Sequence, residues 1–260
     1  MKANYHTHTE HCRHASGLPL DYAQEACSKN VEILGISDHA PFKDKDYGFR
    51  MPFSELEIYC NEVDQAQTSY KGRLEILKAL EIEYLPQYNS YYEELLSRYK
   101  MDYLICGQHF FQTENQDFFY STDLKKSEMV ISYANSCKKA MKTGYFKILA
   151  HPDLFCINER FPWNDDYEKA SDIIIEEAIK TNTILEFNAN GYRRGIHNYP
   201  DGQRCQYPHK KFWNKVKEAD LSALVSSDAH NVDQLWDNTM EEAVNILKNE
   251  NIKRLEKLSF

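Results

Sequence analysis

The chain has 260 residues, 42% of them hydrophobic, enough to bury a full core in one large or two small domains. Thirty-one basic against 40 acidic side chains give a formal charge of −9, which removes any electrostatic reason for a broad surface to hold DNA or RNA. A small anion stays acceptable, because a bound metal cluster reverses the local charge.

Read in chain order, a β-rich run at Asn4–Thr7 carries His6 and leads into His8, His11 and His14. A second run, Ile33–Ser37, leads into Asp38 and His39. Leu56, Tyr59, Val63, Ala66 and Tyr70 then recur at steps of three and four, a helix stripe, with Ser54 and Glu57 spaced as a capping box at its start. The third run, Leu74–Glu81, ends on Glu81 with Glu83 two residues beyond, and the fourth, Tyr103–Cys106, is followed by His109. Val130, Tyr133, Ala134, Cys137 and Met141 form another helix stripe that Gly144 ends. The fifth run, Lys147–Ala150, precedes His151 and Asp153; the sixth, Thr183–Phe187, precedes Asn188; the seventh, Ala223–Ser226, precedes Asp228 and His230.

Short buried strands alternating with helices predict a parallel sheet, since parallel strands need crossover connections. Seven of the ten histidines fall just past the C-terminal ends of the seven predicted strands. A closed barrel brings all those ends to one face, whereas an open sheet would spread them along an edge. The expectation is therefore an α/β fold, a distorted seven-stranded (β/α)7 barrel, in one domain spanning 1–260, with no composition shift or repeat to divide it.

The polar residues at those ends predict a metal centre. His6 and His8 alternate along a strand and can reach one ion together, and Asp228 and His230 repeat the spacing on the last strand. Imidazole with carboxylate suits zinc, iron or manganese better than magnesium or calcium. His11 competes with His14 for a place in the first loop, while His197 and His209 read as polar surface residues. Lys125, Lys126, Lys138 and Lys139 read as solvated helix ends and faces, and Phe110, Phe111, Phe118 and Phe119 as core around the loop or, failing that, the walls of a pocket. Seven cysteines, an odd number with no CxxC pair, fit reduced thiols in the cytosol, with Cys106 and Cys137 as core residues. No secretory signal is visible, and no apolar run approaches the roughly 18 residues that span a bilayer, so no membrane partner is expected.

His6-Thr-His8, Asp38-His39, Glu81, His109, His151-Pro-Asp153 and Asp228-Ala-His230 together resemble the successive motifs of the PHP (polymerase and histidinol phosphatase) superfamily. Ser37-Asp38-His39-Ala40-Pro41-Phe42 and Gly107-Gln108-His109-Phe110 resemble its histidinol-phosphatase branch, which hydrolyses L-histidinol phosphate in histidine biosynthesis. The resemblance implies a seven-fold β/α barrel with two or three divalent ions. It would place His6, His8, Glu81 and Asp228 on the first ion, with Glu81 bridging to a second held by His109 and His151. His14, His39 and His230 would hold a third. A water or hydroxide between the first two ions would attack a small phosphorylated substrate.

Arg160 follows the fifth strand, and Arg193 and Arg194 the sixth, so each is a candidate to grip phosphate with a guanidinium fork. Asp153 or a metal-bound water would protonate the leaving alkoxide. Glu83 would pair with the substrate ammonium or instead support a ligating histidine. An amidohydrolase-type barrel and a PHP-type nuclease are the competing readings. The first usually has eight strands and often a bridging lysine after the fourth, where this chain has His109; the second sits poorly with the acidic charge.

Overall fold

The structure is a computed structural model that describes residues 1–113, 115 and 117–259. β1 (Ala3–Asn4), α1 (Pro19–Ser28), β2 (Ile33–Ile36), α2 (Leu56–Ser69), β3 (Glu75–Ile82), α3 (Asn89–Ser97) and β4 (Tyr103–Cys106) alternate through the first part. A hairpin of β5 (Phe110–Gln112) and β6 (Phe118–Tyr120) precedes α4 (Met129–Thr143), β7 (Ile148–Leu149), α5 (Asp165–Thr181) and β8 (Ile184–Asn188). Then come the short α6 (Asn190–Arg193), a hairpin of β9 (Ile196–Tyr199) and β10 (Gly202–Cys205), α7 (Lys210–Glu218), β11 (Ser222–Ser226), α8 (Asn238–Asn249) and β12 (Lys253–Leu255).

Eight strands form one sheet in the order β1-β2-β3-β4-β7-β8-β11-β12, every pair parallel. The sheet curls until Thr7 and Ala229 form a parallel bridge, where the His8 amide donates to the Ala229 carbonyl at 2.9 Å. The seven predicted strands thus form the ring, and β12 is an addition. It pairs with the start of β11, and the Arg254 guanidinium reaches back to the Met1 carbonyl at 3.1 Å. Its Lys-Arg-Leu sequence has no apolar run by which it could be predicted.

Alternation along the strands separates two apolar layers. Tyr5, Leu77, Ala79, Tyr103, Ile105, Ile148 and Leu224 fill the barrel interior, joined by Leu258, whose amide donates to the Tyr5 hydroxyl at 2.9 Å. The opposite face packs against the helices through residues such as Leu80, Ile82, Leu104 and Val225. On β3 the inward series runs Leu77, Ala79, Glu81, so the interior turns from apolar to charged at its C-terminal end.

The helix stripes bury as expected, with Leu56, Tyr59, Val63 and Ala66 inward on α2, and Val130, Tyr133, Ala134, Cys137 and Met141 inward on α4. Gly144 ends α4 with φ at 74°. The capping box at Ser54 does not form. Phe53–Glu55 is already a 3-10 turn, and the extended backbone that a cap needs lies at Pro52. Among the described residues all seven cysteines are free, and no helix is long and apolar enough to cross a membrane.

Candidate metal centre

The chain leaves β1 carrying His6 and His8, whose rings are oriented from behind. Glu186 Oε1 takes His6 Nδ1 at 2.8 Å, and Asp38 Oδ1 lies 3.5 Å from His8 Nδ1. Both Nε2 atoms therefore point forward and meet at 3.0 Å. His6 Nε2 is 3.3 Å from Glu81 Oε2 and 3.6 Å from Asp228 Oδ1. His8 Nε2 is 3.5 Å from Glu81 Oε2 and 3.0 Å from Asp228 Oδ1. A tetrahedral ion with bonds of about 2.0–2.2 Å separates its donors by about 3.3–3.6 Å, close to the spacings among His6, His8 and Glu81 and from the two rings to Asp228.

Glu81 presents its other oxygen to a second set. His151 Nε2 lies 3.1 Å and His109 Nε2 3.7 Å from Glu81 Oε1. The close approach depends on Gly107, where a Cβ would stand 1.9 Å from that same oxygen. Burial opposes the charged form of Glu81, yet the His6, His109 and His39 rings hold its carboxyl well below the usual range. Burial likewise opposes protonation of His6, but Glu186, Glu81 and Asp228 outweigh it and raise the ring well above its ordinary value. A cluster whose carboxylates draw in protons this strongly is one that cations can occupy instead.

A third set lies nearer solvent. His14 Nδ1 donates to the Cys12 carbonyl at 2.9 Å, and His230 Nδ1 to the Asp228 carbonyl at 3.0 Å. Carbonyls only accept, so both Nε2 atoms carry lone pairs, and they face each other at 3.0 Å. Burial pushes His230 down to about 4 and lowers His14 as well, so neither ring protonates readily at neutral pH. Opposed lone pairs fit a cation between them. His39 stands between the sets, with Nδ1 3.1 Å from Glu81 Oε2 and its ring 5.3 Å from His14. His11 is turned away onto Glu62 at 2.8 Å, which leaves the place to His14.

These donors floor a cavity of about 410 Å³ walled by Tyr47, Phe110, Tyr120, Leu154, Ile157 and Tyr207. Arg194 reaches the cavity, its guanidinium 5.8 Å from the Tyr207 ring. Three other predicted residues are held elsewhere. Arg160 pairs with Asp123 at 2.9 Å outside the cavity lining. Arg193 is turned onto Asp237 and the Ser227 and Gln234 carbonyls. Asp153 is buried behind the cavity, accepting from the His209 amide and the Trp213 indole, and burial pushes it up to about 6. Glu83 lines the cavity, but its oxygens hold His109 Nδ1 at 3.0 Å and the Arg50 fork, the geometry of a supporting group. His209, read as a surface residue, is buried against Trp163 with ring centroids 4.5 Å apart. His197 pairs with Glu159 at the surface, and Phe110 and Phe111 are core.

Glu186 and Arg50 are supporting residues that sequence reading passed over, and Asp38, named there beside His39, was given no role of its own. Glu186 left a signal, as the one charge inside the run Ile184–Asn188. Arg50 left none, since a lone arginine in a polar loop is ordinary.

Residues 4–190 match the PHP domain family. The chain belongs to that family. A Deinococcus radiodurans relative named "Probable histidinol-phosphatase" is 26% identical over 232 residues, covering 86% of this chain and 85% of the relative. The histidinol-phosphatase of Bacillus subtilis is 26% identical over 259 residues, covering 88% and 94%. Among solved structures, histidinol phosphate phosphatase from Lactococcus lactis, complexed with zinc, L-histidinol and phosphate, has the same PHP fold. Its TM-score is 0.72 at 16% identity, over 98% of this chain and 95% of that one.

Proposed function

We propose that the protein is a metal-dependent phosphomonoesterase that hydrolyses L-histidinol phosphate to L-histidinol and phosphate, working in the cytosol as one PHP-type domain over residues 1–260. The observation that carries this reading is Glu81, whose two oxygens face two separate donor sets at the floor of one cavity. His6, His8, Glu81 and Asp228 would hold one ion, Glu81, His109 and His151 a second, and His14, His39 and His230 a third. Zinc, iron or manganese suits these donors. When bound, such ions lower the pKa of water and neutralise charge on a phosphoryl group.

The chain's own residues supply the rest. Glu186 bonds His6 Nδ1 and Asp38 lies 3.5 Å from His8 Nδ1, so the two carboxylates orient the rings with Nε2 toward the centre, where a bound ion would take the place of the proton. Arg194 opens on the cavity and is placed to take phosphate oxygens with its fork. The aromatic and aliphatic walls favour a flat, weakly polar leaving group over a second phosphate, and an imidazole meets that description. The names of the Deinococcus, Bacillus and Lactococcus relatives support histidinol phosphate as that substrate.

The test compares turnover of L-histidinol phosphate, p-nitrophenyl phosphate and a single-stranded oligonucleotide by zinc- or manganese-loaded protein. Preference for histidinol phosphate is expected, with loss of turnover on chelation. Preference for the aryl phosphate would count against the substrate, and turnover that survives chelation would count against the metal reading.

A further inference from the structure

Arg50 lines the cavity beneath its rim, where a basic side chain would ordinarily be read as a phosphate ligand. Its donors are committed elsewhere. Nη1 donates to Glu83 Oε2 at 3.1 Å and to the Ala40 carbonyl at 3.0 Å, Nη2 to Glu83 Oε1 at 3.0 Å, and Nε to the Gly48 carbonyl at 3.1 Å. Only one of the five guanidinium N–H groups is left without a partner in this set. The Phe42 and Phe110 rings lie 5.3 and 5.6 Å from the guanidinium carbon, and the residue is buried. Such a group is part of the scaffold rather than a mobile clamp.

Its contacts join two parts of the site. Through Glu83 it reaches His109 Nδ1, fixing the ring so that Nε2 faces Glu81. Through the Gly48 carbonyl it holds a turn in which Gly48 and Phe49 have φ of 76° and 48°. A left-handed phenylalanine is a strained arrangement that surrounding contacts must enforce. Here it sets the Phe49 ring edge-on to His14 at 5.4 Å, with 74% of the side chain exposed at the cavity mouth.

We infer that Arg50 is a positioning residue: through Glu83 it orients His109 as a metal ligand, and it does not bind the substrate. The inference rests on the metal reading but not on the choice of substrate. Loss of Arg50 leaves the buried Glu83 with a single partner and free to turn, so His109 loses its fixed tautomer and direction. A supporting partner of a ligating histidine is typically worth about 10- to 100-fold in metal affinity.

The test uses zinc-loaded full-length protein dialysed against graded chelator, with ions counted per chain. Arg50→Gln and Arg50→Lys should each release one ion at roughly 10- to 100-fold lower chelator concentration than wild type. Arg194→Ala should release its ions as wild type does. Glu83→Gln should match the Arg50 variants, and the double variant Arg50→Gln/Glu83→Gln should be no worse than either single one, because the two act in series. On a phosphomonoester, kcat should fall at low zinc and recover with added zinc, while KM changes little. Arg50→Lys keeps the buried charge, so it carries the test if Arg50→Gln does not fold, as circular dichroism will tell. Wild-type ion retention in folded Arg50 variants, or a KM increase that excess zinc does not correct, would make Arg50 a substrate ligand and overturn the inference. Wild-type protein that retains no zinc would overturn the metal reading, and this inference with it.

Discussion

The Nε2 atoms of His14 and His230 face each other at 3.0 Å while both Nδ1 atoms are held by backbone carbonyls. Neither nitrogen can donate to the other without a ring protonating, and burial lowers the pKa of both rings. An ion bound between them removes the conflict. His230→Ala should therefore lower the metal content by one ion per chain and leave the His6–His8–Asp228 set loaded. Elemental analysis of the variant after gel filtration checks this; an unchanged ion count would remove His230 from the centre.

Gly107 has no side chain to spare in front of Glu81. A Cβ there would lie 1.9 Å from Oε1, 2.5 Å from Cδ and 2.8 Å from Cγ of the same residue. Because Glu81 is buried and faces two donor sets, it has little room to retreat. Gly107→Ala should cost about 1–3 kcal/mol in stability by overpacking. Its larger effect should be on the site, a fall of about 10- to 100-fold in kcat/KM with weakened ion retention. Wild-type rate and ion content in this variant would mean that Glu81 does not need its present position.

The candidate ligands were legible because coordination demands side chains that stand out at the ends of apolar runs, where seven histidines fall. The ring of seven strands followed from the same positions. What escaped depended on partners distant in sequence. Arg160, Arg193 and Arg194 all follow strands of the ring, Arg193 at the end of α6 and Arg194 just past it, but Asp123 and Asp237 decide which of them points inward. Glu83 admitted two roles until Arg50, 33 residues earlier in the chain, was seen to pair with it. Glu186 supports His6 across 180 residues. β12 is three residues long, and its pairing with β11 follows from the path of α8 rather than from any periodicity of its own.

Metal-free protein should show a stability maximum near pH 6.5, because its histidines divide into two groups. His230, His14, His39 and His209 are lowered, chiefly by burial, with His230 at about 4 and His209 at about 3. Below pH 6.5 the unfolded chain binds protons that these rings refuse, so stability rises with pH through that range. His6, His8 and His109 behave oppositely. Burial opposes their charge, but neighbouring carboxylates raise all three, His8 to about 9. Their contribution is complete below pH 6.5 and is lost as pH climbs toward 9. Thermal melts of chelator-treated protein from pH 4 to 9 test the shape. Adding zinc should flatten the alkaline fall, since an ion replaces the protons on His6 and His8. A metal-free melting temperature that keeps rising through pH 9 would contradict this assignment of charges.

The arginines can be ranked by what already holds them. Arg194 lies in the cavity wall with Tyr207, so its fork is open to a phosphate entering above the donor cluster. A charge-assisted contact of this kind is worth about 1.5–3 kcal/mol, and Arg194→Ala should lower kcat/KM roughly ten- to over a hundredfold. Arg160 is paired with Asp123 at the surface, where both side chains are 53% exposed and solvent screens the pair. Arg160 also lies outside the cavity lining, so Arg160→Ala should leave kcat/KM close to the wild-type value. Arg193 is a third case, because its guanidinium holds Ser227, the neighbour of Asp228, together with the Gln234 carbonyl and Asp237. Arg193→Ala should lower the melting temperature and loosen the Asp228 ion rather than raise KM alone. Kinetics on the three variants, each checked for ion content, separate these roles. An Arg160→Ala loss that equals or exceeds that of Arg194→Ala would mean that the loop after β7 swings inward on binding substrate and that Arg160 grips the phosphate.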